Sequence, residues 1–279
     1  TFTRGDTAAG DMQLAAGGRD RINRTWMPTL VWRHDSPSWK TEAGVGHSQG
    51  TNRVRDIDKG FFNNTVGRRT GVTVAFEDVQ YLRPGRITVT DAAGARVDPY
   101  NLSSFAMVSS NSIQNDSTDL KRSAYASVRR DFGARVPVTV KAGVDVREWT
   151  RDLRGGTRLF SFVGADGRAS TVPTAGDDAA APYLDPSFSQ RVLPFGHAAA
   201  QWPSNEQLWA LQQARPNYYT TNADTWFRSA VGLSKYAAEL ISAAYLRGDV
   251  QFFQRRLKLV GGLRAEQTNI EAEGPLTDL

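Results

Sequence analysis

Cysteine is missing from all 279 residues, which removes disulfides and thiolate metal sites from consideration. Missing too is any apolar run near the roughly 18 residues that a membrane-crossing helix needs. Histidine is scarce: His34, His47 and His197 stand far apart, and none falls in an HExxH or comparable ligand spacing. There is no GxSxG elbow and no phosphate-binding glycine loop. Basic residues form no block. The 34 Lys and Arg are interspersed with 29 Asp and Glu, so a pI near 9.6 does not translate into a nucleic-acid footprint. A basic segment followed by an apolar one does not open the chain either; Thr1 to Asn23 is polar and Gly-rich, like a surface loop. Taken with the loop-like GPLTDL ending, this predicts a processed chain or an internal piece of a longer one.

What the sequence has is alternation. Between Ala237 and Glu271, Leu240, Ala244, Leu246, Val250 and Phe252 share one parity, and Tyr245, Arg247, Asp249 and Gln251 the other. After a very short turn, Leu257, Leu259, Leu263 and Ala265 alternate with Lys258, Arg264 and Glu266. Period two means β-strands. Setting Phe252 opposite Leu257 puts Val250 on Leu259, Leu246 on Leu263 and Tyr245 on Arg264, so the two apolar faces coincide. Each arm runs to about 12 residues, more than the usual 5–6 of a soluble strand and enough for the roughly 9–11 of a transmembrane one.

The same pattern recurs upstream. Arg24–Arg33 places Trp26, Leu30 and Trp32 together, with Pro28 fit only for an edge or a bulge. Past the polar turn His34–Ser38, Trp39–Ser48 alternates Trp39, Thr41, Ala43 and Val45 with Lys40, Glu42, Gly44 and Gly46. Leu120–Phe132 and Val138–Arg151 repeat it around a turn at Gly133–Pro137. Pairing Phe132 with Val138 sets Tyr125 opposite Asp145 and Arg122 opposite Glu148. Two long stretches, 49–119 and 152–238, read as elaborate loops. The first carries strand-like pieces at Gly71–Val79 and Arg86–Thr90 and a turn at Ala92-Ala93-Gly94. The second carries a short helix over Ser204–Arg215, with Ser204 and Gln207 at capping-box spacing and Pro216 just beyond.

Connections of about five residues thus alternate with connections of about seventy to eighty. Short turns on one side and long loops on the other are the layout of an outer-membrane barrel. The fold class expected is therefore all-β: an antiparallel transmembrane β-barrel segment of about six long strands, spanning 1–279, with short periplasmic turns and long extracellular loops. Trp32, Trp39, Phe132 and Phe252 sit beside the short turns on the apolar parity, where an interfacial girdle belongs. Because a cation pointing into mid-bilayer lipid costs about 2–4 kcal/mol, Lys141, Asp145, Arg147, Arg247, Asp249, Arg264 and Glu266 are expected to face the lumen. Arg24, Arg130 and His47 break the rule only near strand ends, where the cost falls to about 0–1 kcal/mol.

The run Ile241-Ser-Ala-Ala-Tyr-Leu-Arg247, then Arg256-Leu-Lys-Leu-Val-Gly-Gly-Leu-Arg264 and Glu266-Gln-Thr268, resembles barrel strands of TonB-dependent outer-membrane receptors. Glu42-Ala-Gly-Val-Gly-His-Ser48 resembles their strand-loop rhythm. The resemblance implies a later part of a 22-stranded barrel in the outer membrane. It implies uptake of a scarce ligand, of siderophore, cobalamin or glycan type, and a partner in the inner-membrane TonB complex, reached through a plug domain that this chain does not contain. It implies no enzyme activity and no cofactor. The departures are large, since no plug and no coupling box is present and six strands cannot close a barrel.

Two alternatives stay open: a soluble extracellular β-sandwich that binds or cleaves glycans, and a passive porin-like barrel. Ligand contact, if loop-borne, falls to Trp202, Trp209, Tyr218 and Tyr219, since aromatic faces suit sugars and flat chelates; packing within the loop is the competing role, and for Trp226 a place in the outer girdle. Asp177-Asp178 and Asp56-Ile-Asp58 lack a full calcium-loop pattern and read as solvated loop acids. Glu42, Asp145 and Glu266 read as partners of lumenal Arg and Lys rather than as catalytic carboxylates.

Overall fold

The computed structural model describes residues 2–81, 83–133, 135–174 and 176–275. Thr1, Ala134 of the Gly133–Pro137 turn and the end of GPLTDL from Leu276 onward lie outside them. In chain order the strands are β1 (Thr3–Arg4), β2 (Gly10–Gly17), β3 (Asp20–Trp26), β4 (Thr29–Asp35), β5 (Trp39–Arg55), β6 (Asn64–Glu77), β7 (Arg86–Asp91), β8 (Arg96–Val97), β9 (Ala106–Phe132), β10 (Val138–Phe162), β11 (Tyr219–Thr221), β12 (Lys235–Phe252) and β13 (Leu257–Glu273). The helices are α1 (Asn205–Ala214) and α2 (Ala223–Leu233). All strands belong to one antiparallel sheet, whose main path runs β13-β12-β10-β9-β6-β7-β8, with β5 on β9 and both β3 and β4 on β5. The fold is all-β and the sheet is open: among the described residues β13 has a strand on one side only.

The hairpin β12–β13 adopts the register that the alternation predicts. Phe252 faces Leu257, Val250 faces Leu259, Leu246 faces Leu263 and Tyr245 faces Arg264. Matching the parity of two apolar faces excludes every odd slip, which would turn the leucines to the charged side, and the very short turn selects this register among those that remain. Three side-chain pairs fit the expected alignment of β9 with β10. Thr139 donates to Asp131 at 2.6 Å, Arg122 meets Glu148 at 3.2 Å and Arg151 meets Asp119 at 3.3 Å.

Several boundaries differ from the sequence reading. Pro28 splits the expected strand Arg24–Arg33 into β3 and β4, which share β5 as their partner; with no N–H to donate, Pro28 stands in the gap, and its carbonyl accepts from His47 at 3.0 Å. The loops expected at 49–119 and 152–238 are shorter, since β5 continues to Arg55, β9 begins at Ala106 and β10 ends at Phe162. Polar sequence hides these extensions: Ser109–Asp119 has no apolar parity to reveal a strand. Instead of six comparable long strands there are five of 17 to 27 residues and the broken pair β3/β4.

The chain divides into two units: 1–20, 54–114 and 156–229 form the first, and 21–53, 115–155 and 230–279 the second. The first has a packed core in which Phe62, Leu102, Phe105, Met107, Phe162 and Leu208 are fully buried, each worth about 1.5–3 kcal/mol. Helix α1 starts as its cap predicts, with Ser204 Oγ accepting from Gln207 N–H at 3.3 Å. The reciprocal half of the capping box is absent, because the Ser204 N–H donates to the Tyr183 carbonyl at 2.7 Å instead. The second unit is a single layer of β3, β4 and parts of β5, β9, β10, β12 and β13, and its two faces carry the functional argument.

Candidate functional site

One face of the second unit is a field of ion pairs. Arg147 holds Asp145 at 2.7 Å, Arg247 holds Asp249 at 2.9 Å and Arg264 holds Glu266 at 2.5 Å. Each pair is two residues apart on one strand, so period-two geometry puts both charges on one face. Lys258 joins Asp249 at 3.5 Å. Glu42 accepts from Arg33 Nε at 2.7 Å and from the Tyr125 hydroxyl at 2.8 Å. Six of the seven residues that the sequence assigns to the lumen, Asp145, Arg147, Arg247, Asp249, Arg264 and Glu266, are thus paired on one polar face. Glu42, Asp145 and Glu266 are each held by an arginine, an arrangement that balances charge rather than preparing an acid for proton transfer. Exposed pairs like these contribute only about 0–1 kcal/mol apiece; their value lies in keeping the face polar.

The opposite face is apolar and bare. Leu30 is 70%, Val144 53%, Leu246 56% and Leu263 83% exposed. Along β9, β10 and β13 this stripe runs from Phe132 to Ala124, Val138 to Val146 and Leu257 to Ala265, about nine residues each time. Aromatic rings close its turn end: Trp39 and Phe132 flank the Arg130 guanidinium, which lies 4.8 Å from both ring centres. Arg130 breaks the apolar parity, and those rings shield its charge. His47, the exception at the other end, packs on Trp26 at 4.8 Å. An exposed apolar face of this kind marks an interaction surface.

Two tyrosines lie flat over glycines on the polar face. Tyr245 faces Gly143 across β12 and β10, and a Cβ added to Gly143 would lie 2.6 Å from its ring. Tyr125 covers Gly44 in the same way, at 2.5 Å. An aromatic laid over a strand glycine supplies the packing that the glycine lacks and pins the register. Gly143→Ala should cost on the order of 1–2 kcal/mol by overpacking, and much less in a Tyr245→Ala background; a double-mutant unfolding cycle measures the coupling. The sequence reading missed this joint, because Gly143 and Tyr245 meet only in the β10–β12 alignment that the structure supplies.

In the first unit the four aromatic ligand candidates come together, but mainly as packing. Tyr219 is buried and its hydroxyl donates to the Leu208 carbonyl at 3.2 Å. Its ring meets Phe162 at 5.1 Å, while Trp209 stands edge-on to Phe62 at 5.3 Å and Tyr218 edge-on to Phe162 at 6.5 Å. Trp202 packs on Phe188 at 5.8 Å. Burial pushes the Tyr219 and Tyr183 phenols above their ordinary range, as befits hydroxyls held in a core. Trp226 lies on α2, a helix that the sequence reading left in the loop, beneath the Arg158 guanidinium at 4.9 Å.

The loop acids differ from one another. Asp56 is buried and fully engaged, and Asp58 pairs with Arg55 at 3.2 Å. Asp178 is also buried, accepting from Ser170 N–H at 2.5 Å. Desolvation first, then the neighbouring Asp177 and Asp166, push its carboxyl up to about 6. Because that value exceeds the unfolded one near 3.8, its contribution is fully present below about pH 4 and disappears as pH rises through about 6. Asp178→Asn should flatten this dependence and stabilise the loop near pH 8 by on the order of 1–2 kcal/mol. Hydrogen exchange at Met107, whose N–H donates to the Asp178 carbonyl at 2.7 Å, would report it at pH 5 and pH 8. Among the described residues no three His, Asp or Glu side chains are grouped to hold a metal ion.

The two-faced sheet is therefore the feature with most chemical content, and it must be interpreted from its own geometry: no protein-family model and no curated protein matches this chain.

Proposed function

We propose that the chain is part of an outer-membrane β-barrel receptor of the TonB-dependent type, with its apolar face in lipid and its polar face lining a water-filled interior. The observation that carries this is the bare apolar stripe of constant height on adjacent strands. Nine residues at about 3.3 Å make roughly 30 Å of strand, and a tilt of about 40° reduces this to roughly 23 Å, close to the ~25 Å apolar band of such barrels. Aromatic rings at its rim and ion pairs on the reverse side fit the same picture. The open edge of β13 is where the next strand of a barrel would pair.

In this reading the chain takes part in the uptake of a scarce small molecule or glycan, and it is not a catalyst. Its partners are outer-membrane lipid, the ligand, and the inner-membrane TonB complex acting through a plug that these residues do not form. A soluble sandwich would need a second layer over Leu30, Val144, Leu246 and Leu263, which are exposed. A passive pore would share both faces, and would differ in admitting small solutes without any dependence on the inner-membrane energy source.

Spin labels decide the medium. In the intact protein reconstituted in lipid, labels at Ala126, Val144 and Leu246 should be quenched by oxygen. Labels at Ser127 and Asp145 should respond to a water-soluble nickel complex. Reversed accessibility would overturn the assignment of faces and the receptor with it.

A further inference from the structure

We propose that the polar face carries a ligand site centred on Trp149, built for a small zwitterion with a ring between its two charges. A cavity of about 510 Å³ opens there, with Lys121, Arg147, Trp149, Glu239 and Ile241 in its walls. That volume lies in the range of small-molecule sites. Glu239 faces Trp149 directly across β12 and β10. The β9–β10 alignment that pairs Asp131 with Thr139 and Arg122 with Glu148 brings Lys121 opposite Trp149 from the other side. Lys121, Trp149 and Glu239 thus form one row across three adjacent strands, with the outer two separated by two strand spacings, about 10 Å.

The pattern of pairing singles out this row. On the same face as this row Arg147 is held by Asp145 at 2.7 Å and Arg151 by Asp119 at 3.3 Å, while Arg122 and Glu148 pair on the reverse face. Lys121 and Glu239 form no ion pair among the described residues, on a face where most other charges do. A cation and an anion are therefore left over on opposite sides of an indole. The indole face accepts a flat or sugar ring, Lys121 accepts an anionic group at one end, and Glu239 an ammonium at the other. A purely anionic ligand would meet Glu239 repulsively and a purely cationic one would meet Lys121, so the row favours a molecule with both charges. The proposal deepens the receptor reading and rests on it, since it takes this face as the wet one and names the class of molecule it admits.

The test uses the protein in lipid nanodiscs, with its seven tryptophans replaced biosynthetically by 5-fluorotryptophan and the Trp149 fluorine signal assigned by Trp149→Phe. The probes are 4-(aminomethyl)benzoate, which carries carboxylate and ammonium across one ring, and benzoate and benzylamine, each with one of those charges. The zwitterion should shift the Trp149 signal saturably, with an affinity at least about tenfold above either single-charge probe. Lys121→Gln should reduce it to the level of benzylamine, and Glu239→Gln to the level of benzoate. Equal affinities for the three probes, no saturable shift, or a zwitterion affinity unmoved by both substitutions would overturn the site. Its failure is separable from that of the receptor: spin labels still reporting lipid at Val144 and Leu246 would leave the receptor reading intact while the site is lost.

Discussion

Arginine in place of Leu246 is expected to destabilise the protein in a bilayer by about 2–4 kcal/mol, whereas Ser127→Arg should cost under about 1 kcal/mol. Leu246 sits at the middle of the apolar stripe of β12, between Ala142 on β10 and Leu263 on β13, and it is more than half exposed. In water, an exposed leucine can become arginine at a cost within about 0.5 kcal/mol, because the new charge is solvated where it stands. In hydrocarbon the guanidinium must either lose its hydration or drag water and headgroups inward. The same substitution therefore measures the medium. Depth supplies a second check: Phe252→Arg, beside the short turn, should cost much less than Leu246→Arg, because the penalty falls to about 0–1 kcal/mol near the interface. A second layer of protein over this face would give a large cost at both positions, with no law of depth. Reversible urea unfolding from lipid vesicles, read by tryptophan fluorescence, yields all three numbers.

How far the fold can be read from the sequence depends on whether two phases meet across a strand. The β12–β13 register was legible because one parity is leucine, valine and phenylalanine and the other is arginine, aspartate and glutamine, which excludes odd slips, and because the very short turn after Phe252 selects among the alignments that remain. Pro28 was legible for a different reason, since a residue without an N–H must interrupt a ladder. Legibility stops where contrast stops. From Ser109 to Asp119 β9 is polar on both parities, so its backbone pairing with β6 left no trace that periodicity could find. Core residues of the first unit were illegible because Phe62, Phe105, Phe160 and Tyr219 come from segments far apart in the chain. The same aromatics that pack against one another look like ligand contacts when only composition is known. Helix α2 was missed because Trp226, Phe227 and Val231, types that favour strands as readily as helices, stand among its apolar residues. The polar face was predicted residue by residue, yet the row Lys121, Trp149 and Glu239 was not seen, since it emerges only when three strands are aligned and the paired charges are set aside.

The second large effect lies in the first unit, at Asp56. Its carboxylate is fully buried one residue past the end of β5, and it accepts three hydrogen bonds: from Ile57 N–H at 2.6 Å, from the Ser112 hydroxyl at 2.7 Å and from Ile113 N–H at 2.7 Å. Two of the donors belong to β9, so a single side chain joins the exit of one long strand to the polar stretch of another. Asp56→Ala should cost about 3–4 kcal/mol, because the Ser112 hydroxyl is left buried without an acceptor and the partly buried Ile57 and Ile113 N–H groups lose theirs, at the lower end of roughly 1–3 kcal/mol each. Asp56→Asn should recover part of the loss: its one carbonyl oxygen can still accept from Ile57 and Ser112, but its amide cannot accept from Ile113. The loss should be local. Hydrogen exchange ought to accelerate at Ile57, Ile113 and the neighbouring core around Phe62, while the amides of β12 and β13 keep their protection, because their ladder is formed by residues of the second unit. If Asp56→Ala instead unfolded β12 and β13 together with the first unit, the two would be one cooperative body, and the polar stretch of β9 would transmit stability from the packed core into the two-faced sheet.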